Sequence, residues 1–325
     1  MNHSVIFNSK SEKDFEKQAL QLFQYQYQNN STYHQFCKLI DRHPGKVNKL
    51  EKIPFLPIQF FKSHSVITGS NTVKHIFTSS GTTGSNTSKH YITDLSVYQT
   101  SYLKAFEYFY GKVTDYVILA LLPAYLERKG SSLVYMADDL IKRSQRPESG
   151  FYLNDLKKLS EVLKQLEQKN QKTLLIGVTF ALLDLADNYP QSLKNTIIME
   201  TGGMKGRRKE MIREEVHQLL KKSFGLSNIH SEYGMTELLS QAYSKGNGIF
   251  YPPPWMKIMS RDPEDALSLQ KNGKTGGINI IDMANINSCA FIASQDLGKV
   301  YNDGSFEILG RFDHSDIRGC NLMVL

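Results

Sequence analysis

A chain of 325 residues makes one large or two ordinary domains at roughly 150 residues each, and a small stapled fold is excluded. With 40% hydrophobic and 22% charged residues it has the composition of an ordinary soluble globular protein, so collagen-like, disordered and membrane classes drop out. A net charge of +7 favours anionic partners such as nucleotides or acidic proteins, while nothing in the pattern supports nucleic acid as one.

In chain order, Glu12 to Gln28 reads as an amphipathic helix, with Phe15, Leu20, Leu22 and Phe23 apolar among Lys and Gln. After Pro54 and Pro57, β-prone and helical runs alternate. Val73 to Phe77 and Tyr116 to Leu121 read as strands, with Leu95 to Tyr110 helical between them. Further on, Leu153 to Glu167, Ala181 to Asn188 and Arg207 to Phe224 are expected as helices, and Thr173 to Val178 and Thr196 to Met199 as buried strands. Such alternation predicts an α/β fold, with a mostly parallel sheet flanked by helices. Beyond Tyr251 the texture changes: Pro252, Pro253 and Pro254 break the chain, and short strands are expected at 277–282, 290–293 and 305–309. The expected division is therefore an α/β nucleotide- and acyl-binding core over residues 1–250 and a smaller β-rich subdomain over 251–325.

Three cysteines, Cys37, Cys289 and Cys320, lack any CxxC pairing, which argues against a disulfide framework or a zinc knuckle and for reduced thiols. The first ten residues lack the pattern of a secretory signal, and the longest apolar run, Val117 to Leu122, is far shorter than the roughly 20 residues a membrane span needs. A cytoplasmic protein without a membrane span is the expectation.

Two stretches carry chemistry. Thr78-Ser79-Ser80-Gly81-Thr82-Thr83-Gly84 follows a β-prone run and crowds hydroxyls with glycines. Glycine lets the backbone approach closely, and successive N–H and hydroxyl groups offer donors to polyphosphate oxygens. It is not a Walker A loop, which needs GxxxxGK[ST], and the alternative is a polar surface loop. The second stretch, Ser231-Glu232-Tyr233-Gly234-Met235-Thr236-Glu237, offers an aromatic face, a hydroxyl and a carboxylate within one turn. One carboxylate beside substrate phosphates is sufficient for Mg²⁺. A tight turn with a capping Thr is the plainer reading. Beside it, His230 would either position the carboxylate or cap a strand end.

These two stretches, followed by Asp296-Leu297-Gly298 and Gly310-Arg311-Phe312-Asp313, resemble the adenylate-forming superfamily of acyl ligases in order and spacing. The resemblance implies attack of a carboxylate on the α-phosphate of Mg-ATP, giving an acyl-adenylate and pyrophosphate. It further implies that Thr78, Ser79, Ser80, Gly81, Thr82, Thr83 and Gly84 hold the β and γ phosphates. Tyr233 and Gly234 would lie at the adenine, Thr236 would touch the α-phosphate and Glu237 would hold Mg²⁺. Gly202 and Gly203 would border the nucleotide and acyl pocket, with Asp296 on the ribose hydroxyls and Arg311 on ribose and phosphate.

Within that superfamily, residues 121–128, 131–136, Thr201-Gly202-Gly203-Met204-Lys205-Gly206 and Arg318-Gly319-Cys320-Asn321 are similar to the LuxE-type acyl-protein synthetases. That type implies a long-chain fatty acid carried as a thioester on a cysteine near the carboxyl terminus, here Cys320, and passed to an acyl-accepting protein such as a reductase subunit or a carrier protein. Two features depart from the wider superfamily. Ser85 to Ser88 intervene before Lys89, and the sequence given stops a dozen residues after Asp313, where a mobile lid of about 100 residues would follow, so that lid is expected to be missing. Cys320 would then take the thiol-acceptor role, its thiolate favoured by Arg318. Two alternatives stand beside this expectation: a ligase that passes its adenylate to coenzyme A or a carrier protein, and a non-catalytic nucleotide-binding subunit of an acyl-reductase complex.

Overall fold

A computed structural model describes residues 3–9, 11–79, 87–123, 130–153, 155–202 and 211–312. By its internal contacts the chain divides into two compact units, one of residues 1–60, 66–68 and 254–325, the other of residues 61–65 and 69–253.

The first unit is built on antiparallel strands Met256–Arg261, Gly276–Asp282, Phe291–Val300 and Phe306–Arg311, each paired with the next. The short strand Leu56–Pro57 pairs in parallel with Phe291–Val300, at Ile292 and Ala293. Ala290 to Ala293 was expected as a strand of its own; it continues as far as Val300, so Asp296 lies within a strand. The core gathers aromatic rings: Phe291 packs against Tyr33, Phe23 and Phe55 at centroid distances of 5.9, 6.3 and 6.4 Å. Phe23 and Tyr33 come from the helices Glu12–Asn29 and Ser31–Leu39, which therefore pack with the carboxyl-terminal strands. These contacts gather residues of the first sixty with the strands of residues 256–311. Polar side chains make the join. Gln26, fully buried, donates to the carbonyls of Asn285, Ile286 and Ser288 and accepts from the N–H of Ala290.

In the second unit an open sheet has the strand order Gly150–Phe151, Val117–Leu121, Thr173–Gly177, Thr196–Glu200, His230–Tyr233 and Ala242–Ser244. All neighbours are parallel except the last pair. The strands Val117–Leu121 and Thr173–Gly177 are buried at every position, as expected of unbroken apolar runs covered on both faces. Local chemistry sets the helix ends. Leu95–Tyr110 starts where Asp94 accepts from the N–H of Ser96 and stops at Gly111, whose φ of 88° suits glycine. Leu156–Gln168 begins three residues later than the periodicity predicts, because Asp155 caps the N–H of Lys158 at 2.9 Å. Arg213–Phe224 carries Glu214 and Glu215 in its first turn, the favourable sign at a helix amino terminus; the expected start at Arg207 lies outside the described residues. A separate hairpin pairs His75–Thr78 with Lys89–Ile92. Among the described residues no helix is long and apolar enough to cross a membrane.

Candidate active site

Parallel sheets with covered faces present their ligands at the carboxyl ends of the strands, and in the second unit the sequence motifs lie at those ends. The strand Thr196–Glu200 runs directly into Thr201 and Gly202, and the N–H of Thr201 bonds the carbonyl of Gly177 at the end of the neighbouring strand, at 2.9 Å. Gly202 is exposed, and a side chain added there would meet no described residue within 4 Å. Next in the sheet, His230–Tyr233 ends in the turn Gly234-Met235-Thr236-Glu237 before the chain returns as Ala242–Ser244. Leu238 and Leu239, both buried, anchor that turn.

Tyr233, 8% exposed, sets its ring 5.9 Å from Phe250. Glu237 is 6% exposed, a carboxylate largely withdrawn from water at the end of the turn. The flanks of the hydroxyl-rich strip are held as a neck: the N–H of Ser79 bonds the carbonyl of Ser88 at 3.1 Å, and the N–H of Ser88 donates to Ser79 Oγ at 2.9 Å. Thr78 is fixed from the other side, its N–H bonding the carbonyl of Gly130 at 2.8 Å. Gly130 has a φ of 107°, and an added Cβ would come within 2.8 Å of Thr78 Oγ1, so glycine is required there twice over. Ser80, Gly81, Thr82, Thr83, Gly84 and Gly203 lie outside the described residues, as do Cys320, Arg318 and Asp313. Lys89, paired with Thr78 across the hairpin, is exposed.

One bond joins the neck to the turn. His90, on the strand that leaves the strip, is fully buried, and its Nδ1 lies 2.9 Å from the carbonyl oxygen of Thr236. Burial pushes the imidazole down to about 4, so at neutral pH the ring is uncharged and Nδ1–H donates to the carbonyl. The strip's flanks and the Tyr233–Glu237 turn are therefore neighbours. Reading the sequence alone missed this role of His90; its position just after the strip was the available signal. His230 stands at a strand end, away from the Glu237 carboxylate's turn. It opens its strand, at the opposite end from the turn, with Nδ1 3.2 Å from the Tyr110 hydroxyl.

Asp296 and Arg311 belong to the first unit. They face each other across paired strands, and Arg311 Nε donates to Asp296 Oδ1 at 3.0 Å. The carboxylate is 5% exposed, whereas the Arg311 side chain is 76% exposed. A cleft lined by Pro147 to Leu153, Asp155 and Lys158 flanks the edge strand Gly150–Phe151 and contains none of these motif residues.

Comparison with known proteins bears on this arrangement. Residues 5–110 match the family described as acyl-protein synthetase, LuxE. The long-chain-fatty-acid–luciferin-component ligase of Vibrio harveyi is 23% identical over 327 aligned positions, spanning 92% of this chain and 84% of that protein. Both are similarities in sequence. The chain's fold is similar to those of ligases of known structure. A 2-hydroxyisobutyryl-CoA ligase in its thioesterification state, bound to its acyl-adenylate and CoA, superposes with a TM-score of 0.68 at 13% identity, over 95% of this chain and 70% of the ligase. ATP-bound MatB from Rhodopseudomonas palustris superposes with a TM-score of 0.57 at 18% identity, over 75% of this chain. The chain spans about half the length of MatB, 49%.

Proposed function

We propose that the chain activates a carboxylic acid with ATP and transfers the acyl group to a thiol, as an AMP-forming acid–thiol ligase of the acyl-protein synthetase kind. The observation that carries this reading is the His90–Thr236 bond, which makes the flanks of a hydroxyl- and glycine-rich strip neighbours of the Tyr-Gly-x-Thr-Glu turn at the carboxyl edge of a parallel sheet. The match to the LuxE family and the fold shared with ATP-bound ligases support the same reading.

In the first step a carboxylate oxygen of the acid attacks the α-phosphorus of ATP, and the bond to the β-phosphate oxygen breaks to release pyrophosphate. Backbone N–H and hydroxyl donors of Thr78 to Gly84 would cradle the departing phosphates, and Thr236 would meet the charge that grows on the α-phosphate. Mg²⁺ fits the donors present: Glu237 offers a buried hard oxygen, and this ion is held by one or two carboxylates together with substrate phosphates. When bound it would neutralise phosphate charge beside Glu237. In the second step the Cys320 thiolate attacks the acyl carbon and AMP leaves, giving a thioester for an acyl-accepting protein. A long-chain fatty acid is the favoured substrate because the Vibrio harveyi relative is named for one.

The test is acid-dependent ATP/pyrophosphate exchange over a panel of carboxylic acids, read together with the mass of the intact chain. Cys320→Ser is expected to keep exchange and lose the hydroxylamine-sensitive acyl adduct. Persistence of that adduct would remove Cys320 from the mechanism, and absence of exchange with every acid would remove the adenylating reading itself.

A further inference from the structure

Just before the aromatic residue of the turn stands Glu232, a carboxyl group with no part in the reaction described above. Its two oxygens touch two different segments. Oε2 accepts from the Thr201 hydroxyl at 2.9 Å, at the start of the Thr201–Gly202 segment. Oε1 lies against Gly234, so closely that an added Cβ there would come within 2.3 Å of it, and the same Cβ would meet Gln241 Cγ at 3.3 Å. The groups that face Glu232 are Thr201, Glu200 at the end of the adjoining strand, Tyr98 and Tyr110 from the helix Leu95–Tyr110, and Tyr243 from the strand beside it. None of these is a cation. Gln241 is buried, and among the described residues its Oε1 has no hydrogen-bond partner. Glu232 is half-buried, and among the described residues no cation faces it, so a carboxyl here gives up hydration that an apolar residue of the same size would not lose, and its presence calls for a reason.

The strand ends do not need it for their own cohesion. Glu200 already ties them, accepting from Thr179 Oγ1 and, at 3.4 Å, from Ser231 Oγ, which in turn lies 3.3 Å from His217 Nε2. What Glu232 adds is a connection between the two segments that follow the strands Thr196–Glu200 and His230–Tyr233. We propose that Glu232 is a positioning residue that locks the Thr201–Gly202 segment to the Tyr233–Glu237 turn, so that both meet the bound nucleotide in register. The role rests on the acyl-adenylating reading of the site and deepens it. Small misplacements of such segments cost much in rate, because the reacting groups must be held within a fraction of an ångström.

Burial and the neighbouring Glu200 push the Glu232 carboxyl up to about 7, against the pull of the Thr201 hydroxyl. At neutral pH it is therefore partly protonated, and its ionisation places a negative charge directly under a turn that is to receive polyphosphate.

The test is ATP/pyrophosphate exchange by the full chain, with an acid that supports wild-type exchange, from about pH 5.5 to about pH 9. Thr201→Val and Glu232→Ala are expected to lower kcat ten- to a hundredfold, at about the scale set by misplaced reacting groups. In the wild type, exchange should fall as pH rises through about 7. Glu232→Gln, which mimics the protonated form, should keep most of the rate and flatten that limb, a change that a merely structural role would not produce. Should Glu232→Ala fail to fold, Thr201→Val and Glu232→Gln carry the test, with circular dichroism as the check on folding. Folded variants with wild-type kcat, KM and pH profile would overturn the inference alone. A wild-type chain that exchanges no pyrophosphate with any acid would overturn the adenylating reading and this role with it.

Discussion

Both units bury polar side chains, but they direct them differently. In the first, Gln26 donates to three carbonyls and accepts from one N–H, and Asn30 donates to the Thr68 hydroxyl and the Ser288 carbonyl. These groups satisfy backbone that irregular chain would otherwise leave buried and unpaired, and they hold a helix on a sheet. In the second unit one set of polar groups stands at or beside the carboxyl ends of the strands. There His90, Thr201 and Glu232 bind the segments that follow the strands. The same chemistry thus fixes a scaffold in one place and aims loops in the other. What separates the two uses is whether the partner backbone faces the core or the sheet edge.

Breaking each kind of contact should give opposite signatures. Phe291→Ala removes the ring at the centre of the first unit's aromatic cluster and is expected to cost about 3–5 kcal/mol in urea unfolding, while the folded fraction keeps its exchange activity. Glu237→Gln should do the reverse, lowering ATP/pyrophosphate exchange by about a hundredfold or more with little change in the unfolding midpoint. Normal exchange in that variant would mean that the turn is not a nucleotide site. A smaller effect sharpens the contrast. Glu232 has its carboxyl raised from the ordinary value to about 7 in the folded chain, so it favours folding most at low pH and loses that contribution as pH climbs from about 4.5 through about 7. Glu232→Gln is therefore expected to match the wild type near pH 5 and to be more stable by about 1–2 kcal/mol near pH 8, measured by urea unfolding at both values. A difference that is independent of pH would show that the carboxyl is not enclosed.

Much of the architecture could be read from the sequence, because single-element signals are local. An Asp before and a Gly after a periodic run mark the helix Leu95–Tyr110 to the residue, and unbroken apolar runs mark the parallel strands. The association of the first sixty residues with the carboxyl-terminal sheet could not be read. It depends on contacts such as that of Gln26 with the Asn285 carbonyl, 259 residues apart, and a backbone carbonyl has no sequence signature. The site divides along the same line. The Tyr233–Glu237 turn and the strip after Thr78 stand out as strings of residue types. Their adjacency passes through a histidine bonded to a main-chain oxygen, which no pattern of residue types encodes. Glu232 was visible as a letter in the turn motif, yet its task depends on which hydroxyl the fold brings to it.

That histidine link is uncharged on both sides, an imidazole N–H meeting an amide oxygen inside the protein. Mobile ions screen charges that face solvent and leave such a dipolar contact untouched. Raising ionic strength should consequently weaken the grip on a polyanionic nucleotide without loosening the frame that presents it. A salt titration of nucleotide affinity would then count contacts to the ligand's own charge, with no contribution from the scaffold.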